Sequence, residues 1–358
     1  MSLLDRYIAR QFFVTFLFSL ASFAALFVLI NMVENLDRFI DHQIPAGRIA
    51  IYYLAGLPQT FLLTTPLSVL LASLFVTGKL SMQSELSALK SAGMSLAHLM
   101  RPFLLVSLLI TGLNMVNSCW IIPSNYDWST GFENRYMKES KHDNQGPLHI
   151  RESKNRILTV GEIGADFMSA RSVSIESFEG PRITSRIDAD SLRILPSGKL
   201  WVLYNTRSRH FSDAGERLVV NPAADTLNLS LSKNTFRMID ADPDAMTIQQ
   251  HYQFVREKEQ AGLSGLERAR VKLQVKIAMP FASLIIVMIG VPLSTKKKRS
   301  GLALEASISL LVGLLYLGLQ RTLSSVGYDG HINPILAAWL PNLLFIMAGM
   351  VLYRTANE

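Results

Sequence analysis

Six long apolar runs dominate the chain, at roughly residues 12–33, 54–78, 102–122, 277–295, 302–320 and 332–353, and almost no charge interrupts them. A helix rising about 1.5 Å per residue needs about 20 apolar residues to cross a hydrocarbon core roughly 30 Å thick. Each run therefore predicts a transmembrane helix. Between the third and fourth runs the period changes. Ser172–Phe178, Arg182–Ala189, Leu200–Tyr204 and Thr226–Leu231 alternate apolar with polar residues, as half-buried strands do. Glu179-Gly180-Pro181, Pro196-Ser197-Gly198 and Asp213-Ala214-Gly215 punctuate this region as turns.

Short strands with turns about every ten residues favour a sandwich or jelly-roll. The fold class is thus an α-helical membrane protein of about six transmembrane helices with an inserted all-β, jelly-roll-like domain. Residues 1–123 hold spans 1–3, 124–265 the β domain, and 266–358 spans 4–6. The inner faces of such a domain form either a sealed core or an open apolar slot. After Asp242-Pro243-Asp244, residues 247–260 read as an amphipathic helix: Thr247 can cap it, and Ile248, Tyr252 and Val255 recur at helical spacing. Gly262 and Gly265 then break the chain before span 4.

Composition sharpens this picture. The 358 residues are 49% hydrophobic and 18% charged, and the charges crowd into roughly residues 124–272. A net charge of +7 could suggest nucleic acid, but much of the excess sits beside membrane spans, notably Lys296, Lys297, Lys298 and Arg299. Membrane topology accounts for that cluster, and no nucleic-acid partner is implied. Arg6 and Arg10 precede span 1, Lys79, Lys90 and Arg101 lie between spans 2 and 3, and Arg354 follows span 6. With alternating spans all of these fall on one side, which the positive-inside bias makes the cytoplasm. Both termini are then cytoplasmic and the β domain lies outside. The run Phe12–Met32 exceeds the apolar length of a signal peptide, and Ala21, Ala24 and Ala25 lie inside it, so it reads as an uncleaved span. The single cysteine, Cys119, permits no intrachain disulfide, and an exported domain must be held by its own core.

Catalytic signatures are missing: there is no nucleotide-binding G-x-x-x-x-G-K-[ST], no G-x-S-x-G elbow and no H-E-x-x-H. The seven histidines are scattered, and neither metal nor cofactor is implied. A secondary transporter or a structural scaffold is the alternative reading. A coupled carrier, however, usually places ionisable groups or broken helices at mid-membrane. Glu305 and Arg321 lie near the ends of span 5, and the prolines Pro66, Pro280 and Pro292 are weak evidence alone. No polar constellation suited to a membrane-bound enzyme can be assembled.

The loop between spans 2 and 3 contains Ser84-Glu85-Leu86-Ser87-Ala88-Leu89-Lys90-Ser91-Ala92-Gly93-Met94-Ser95. Ser84 offers an N-cap, Glu85 suits the first turn, and Gly93 can end the helix at about residues 83–93. Alone it is a membrane-surface connector or a lever for a cytoplasmic motor. With the order of spans, Leu4-Asp5-Arg6-Tyr7-Ile8, Lys276…Pro280-Phe281…Gly290-Val291-Pro292-Leu293 and Asn333-Pro334…Ala338-Trp339-Leu340-Pro341-Asn342, this segment resembles the LptF/LptG permease family. Leu4–Ile8 and Glu34-Asn35-Leu36-Asp37-Arg38-Phe39 look more like the G-type subunit. The resemblance implies one half of an ATP-binding-cassette exporter, without nucleotide chemistry of its own. It would pair with a second related permease and sit on a cytoplasmic ATPase dimer. It would extract lipopolysaccharide and pass it to periplasmic bridge proteins. It further implies that Ser84, Glu85, Leu86, Leu89 and Gly93 belong to the helix that couples to the ATPase. G-type lysines near the end of span 1 are not carried over, because Arg38 is the cation this stretch offers.

Arg268, Lys272 and Lys276 recur every four positions on entry to span 4, along one side of a helix turning about 100° per residue. The positive-inside bias gives no reason for cations there. With Arg38 and Arg321 they are candidates to grip an anionic lipid headgroup such as the phosphates of lipid A, while spans 1 and 5 face acyl chains; snorkelling to ordinary phospholipid is the alternative. The topology has a direct check. Positions 85 and 297 should be cytoplasmic and Trp201 outside; in a Cys119→Ser background, cysteines at 85 and 297 should be shielded from membrane-impermeant reagent in intact cells, and labelling at 297 from outside would overturn the orientation.

Overall fold

The computed structural model describes residues 3–136, 148–153, 155–164, 168–180, 182–194, 200–212, 215–221, 225–228, 242–260, 266–296 and 302–357. The Pro196–Gly198 turn, Pro181, Asp213, Ala214, Gly262, Gly265 and the Lys297–Arg299 cluster lie outside them. Span 1 is α1 (Leu3–Glu34), followed by α2 (Leu36–Asp41); span 2 is α3 (Ala46–Met82). The short α4 (Glu85–Ser91) leads to span 3, made of α5 (Leu96–Val116), a π-helical segment Asn117–Ile121 and α6 (Ile122–Tyr136). After the strands and a 3-10 turn at Pro243–Ala245 come α7 (Ile248–Gln260) and α8 (Glu267–Ala278). A 3-10 turn at Met279–Phe281 joins α8 to α9 (Ala282–Lys296), completing span 4, and spans 5 and 6 are α10 (Leu302–Tyr328) and α11 (Pro334–Asn357). Among the described residues six helices are long and apolar enough to cross a membrane, which makes this a multi-pass membrane protein.

The chain divides into two compact units. One comprises Met1–Glu139, Pro243–His251 and Glu267–Glu358; the other, Ser140–Asp242 and Tyr252–Leu266. In the first unit span 2 is the most deeply buried helix. Four of its hydroxyls fit that burial, because Thr60, Thr64, Thr65 and Ser68 donate back to the carbonyls of Gly56, Thr60, Phe61 and Thr64. These four hydroxyls are thereby satisfied within the helix, leaving small side chains for close packing. Phe12 and Phe16 of α1, Val69, Ala72 and Val76 of α3, Phe103 of α5 and Val287 of α9 form the main core, with the Phe12 and Phe103 rings 5.0 Å apart. Gly290 marks where α9 meets α3: a Cβ there would lie 2.0 Å from Ser73 Oγ.

The second unit carries the all-β insert. Its strands are β1 (Leu148–Ser153), β2 (Arg156–Ile163), β3 (Ser169–Glu179), β4 (Arg182–Ile194), β5 (Leu200–Ser212), β6 (Gly215–Asn221) and β7 (Asp225–Asn228). The described strands form one antiparallel sheet in chain order from β1 to β6, with β7 pairing β5. Leu158, Ile175, Leu192 and Trp201 are fully buried in its core. Strict alternation fails in the middle of this sheet. Ala170 and Val173, Ala189 and Leu192, and Leu203 and Thr206 are all buried although each pair is three residues apart. Between them runs a crease through Gly161, Ser172, Asp190 and Asn205, flanked by the pairs Val160↔Val173, Val173↔Ala189 and Ala189↔Thr206. Ser172 (φ 51°) and Asn205 (φ 57°) take the left-handed conformation there, and Asn205 Nδ2 donates to Asp190 Oδ2 at 2.6 Å. On the other side of this sheet Arg186 donates to Asp188 (2.8 Å) and Glu176 (3.1 Å), and the hydrogen bond to Asp188 raises its pKa.

Close helix contact makes a prediction. Gly290→Leu should destabilise the detergent-solubilised protein by about 1–3 kcal/mol through overpacking, whereas Gly112→Leu, with nothing within 4 Å of its added Cβ, should be nearly neutral. Equal thermal unfolding midpoints for the two variants would contradict this packing.

Candidate functional site

Two places in the first unit concentrate chemistry: α4, at the end of the bundle that holds both chain termini, and the broken helices at the opposite end, where the chain leaves for β1. α4 is pinned from below. Leu86 is 5% exposed and packs in the core with Ile8, Leu80, Leu96 and Leu99, while Met94 leans on the same cluster. Gly93 (φ 83°) turns the chain, and Met94 N–H donates to Leu89 O at 3.0 Å, the six-to-one bond of a Schellman motif. Ser84 enters the helix at φ 59°, the left-handed region, so it lacks the extended geometry of an N-cap. Its carbonyl still accepts from Ala88 N–H at 3.0 Å. Glu85 and Leu89 are half-buried, and Ser87, Ala88, Ser91 and Ala92 form the exposed face. Nearby, Ser95 Oγ caps α5 by accepting from His98 N–H, and His98 lies 3.8 Å from Asp5.

At the other end Pro280 sets the chemistry. It has no N–H, so the Lys276 carbonyl loses its helical donor; Ser118 Oγ, on the π-helical segment, supplies one at 3.0 Å. Ala282 N–H bonds Met279 O in the 3-10 turn, which frees the Ala278 carbonyl for Asn342 Nδ2 at 2.8 Å. Tyr316 O–H in turn donates to Asn342 Oδ1 at 2.9 Å. Asn117 Nδ2 donates to the carbonyl of Pro58 in span 2 at 2.7 Å. Spans 2, 3, 4, 5 and 6 are thus stitched where helices depart from α geometry.

The five candidate headgroup cations do not share one setting. Arg38, Arg268 and Arg321 are exposed; Arg38 Nη1 donates to Asn35 Oδ1 at 3.1 Å, and the Arg268 guanidinium lies over the Tyr328 ring. Lys272 pairs with Asp244 at 2.5 Å. Lys276 is only 9% exposed, and its ammonium donates to the carbonyls of Pro243 (2.9 Å) and Met246 (2.5 Å). Fourfold spacing therefore put the two lysines on a turn of their own chain. Between α1 and α3 an apolar groove of about 430 Å³ opens, lined by Ala21, Ala24, Ala25, Tyr53 and Leu57 among others. Among the described residues no group of three or more His, Cys, Asp or Glu could hold a metal ion.

Residues 6–355 match the family described as the lipopolysaccharide export system permease LptF/LptG. The chain belongs to this family. It is 25% identical to the lipopolysaccharide export system permease protein LptF of Escherichia coli (strain K12) over 97% of this chain and 93% of that protein, and equally to LptF of Shigella flexneri. To LptG of Escherichia coli (strain K12) it is 21% identical over 97% of this chain and 96% of that protein. These values establish the LptF/LptG family without favouring the G-type leaning read from Leu4–Ile8 and Glu34–Phe39.

In this LptF/LptG member the sequence pattern passed over Ser118, Asn117 and Tyr316, and took Asn342 as part of the span 6 motif without a bonding role. A signal for them existed: Pro280 inside an apolar run announces an orphan carbonyl, and polar side chains in neighbouring spans are donors that can meet it. Asn342→Leu should cost about 1–3 kcal/mol by leaving the Ala278 carbonyl without that donor. Tyr316→Phe should add less in the Asn342→Leu background than alone, since the two share a bond. Fully additive losses in thermal unfolding would separate them.

Proposed function

We propose that this protein is a permease subunit of an ATP-binding-cassette exporter that extracts lipopolysaccharide from the bacterial inner membrane and passes it to a periplasmic bridge towards the outer membrane. What carries the reading is membership of the LptF/LptG permease family across residues 6–355. In it the chain pairs with a second, related permease, both termini and α4 face the cytoplasm, and the β unit is periplasmic. ATP is hydrolysed by a separate ATPase dimer that receives α4. The geometry of α4 supports that role: Leu86 anchors the helix in the bundle, Glu85 and Leu89 flank the anchor, and the short side chains of Ser87, Ala88, Ser91 and Ala92 leave room for a partner surface to approach closely. A force applied there reaches spans 1, 2 and 3 through the shared core.

For the lipid, the exposed guanidiniums of Arg38, Arg268 and Arg321 meet the phosphates in this reading, with Lys272 and Lys276 holding the neighbouring backbone in place. Acyl chains lie along spans 1 and 5, the least buried of the six. Purified in mild detergent from its native membrane, the protein should carry an ATPase, a second permease and bound glycolipid. Glu85→Ala should leave stability within about 0.5 kcal/mol, as surface changes usually do, yet lower ATPase recovery and ATP-driven lipopolysaccharide release from proteoliposomes. Normal assembly and release in that variant would remove Glu85 from coupling, and absence of all three companions would remove the exporter reading.

A further inference from the structure

The chain leaves for β1 through α6 and comes back after the strands through the Pro243–Met246 turn, and both of these tethers are bonded to a single residue of span 4. Pro280 strips the Lys276 carbonyl of its helical donor, and Ser118, one residue into the π-helical segment that α6 continues, donates to it at 3.0 Å. The side chain of the same residue reaches the other tether: Lys276 Nζ donates to Pro243 O and Met246 O. One turn earlier Lys272 adds its ion pair to Asp244, and two residues past the start of α8 the Ala269 carbonyl meets the ring of His251, which is fully buried. An ammonium held by two backbone carbonyls at 9% exposure is a strong, oriented fixture, since hydrogen bonds from charged donors exceed neutral ones.

The two helix irregularities bracket this residue. The 3-10 turn at Met279–Phe281 begins three residues beyond Lys276 and marks where α8 gives way to α9, so the helical hydrogen-bond ladder changes there. The π-helical segment inserts an extra residue into span 3, which offsets α6 from α5. We infer that Lys276 is a mechanical joint: a displacement of α8 about the Met279–Phe281 break is imposed on both tethers at once, through the residue's carbonyl on the outgoing one and its ammonium on the returning one. Bonds at Lys272 and His251 keep the returning tether in register with α8 while it moves.

Amide hydrogen exchange of the full-length protein, purified with the partners it brings from the membrane, tests the joint. Ser118→Ala removes one hydroxyl from the outgoing tether and is nearly isosteric. It should speed exchange in residues 122–136 and also, across the joint, in residues 243–251, each by roughly tenfold, the scale of one lost charged or buried bond. Lys276→Met, which keeps the apolar stem, should do the same in both segments. Lys272→Met, which spares the joint, should act on residues 243–247 alone. If Lys276→Met fails to fold, Ser118→Ala decides by itself. Exchange that rises only in the segment whose own bond was removed, or in neither, overturns the joint.

Discussion

A peptide carbonyl that loses its helical partner inside hydrocarbon finds no water to replace it, and this chain creates such carbonyls where Pro280 and the 3-10 turn interrupt span 4. Each must be met by a side chain from another helix. Ser118 and Asn342 meet them, and Tyr316 orients the asparagine. Because those donors sit on spans 3, 6 and 5, satisfying the break also fixes which helices are neighbours. Directional bonds thus do what hydrophobicity cannot do in lipid, where one apolar helix surface is much like another. Close contacts at small residues such as Gly290 then become possible.

Much of the architecture could be read from residue pattern because lipid imposes one simple rule on composition. The six spans follow from where charge is and is not allowed, and the all-β insert from where apolar and polar residues alternate. The strand boundaries were harder. β3 and β4 were visible because Ser172–Phe178 and Arg182–Ala189 alternate, but β1, β2 and β6 were not picked out. In β2, Leu158 and Val160 share a buried face, but Gly161 cuts the alternation short, and β6 is exposed along its whole length. Nor does alternation foretell the crease, since three-residue steps between buried positions resemble helix spacing more than strand spacing.

For the candidate site, residue type was legible and orientation was not. Gly93 could be read as the end of α4 because a left-handed residue is what a helix stop of this kind requires, and it stands at φ 83°. Leu86, read as part of the coupling helix, is the residue that anchors it, because a seven-residue helix cannot hold itself on a surface without burying something. The lysines at 272 and 276 looked like a free cationic stripe because helical spacing says which residues share a side and nothing about what the rest of the chain lays against it. The turn at Pro243–Met246, some 30 positions away in sequence, occupies that side.

The crease of the β unit bears on how the strands find their register while folding. In an ordinary sheet a slip of one residue exchanges the two faces but leaves the backbone equally content. Here a slipped β3 or β5 would carry Ser172 or Asn205 away from the line where neighbouring strands bend, and would put a side chain where Gly161 leaves room. The misaligned sheet would then be penalised in its main chain as well as in its core. Gly161, Ser172, Asp190 and Asn205 therefore act as alignment marks, a proofreading device for assembly in a domain that has no disulfide to correct its errors.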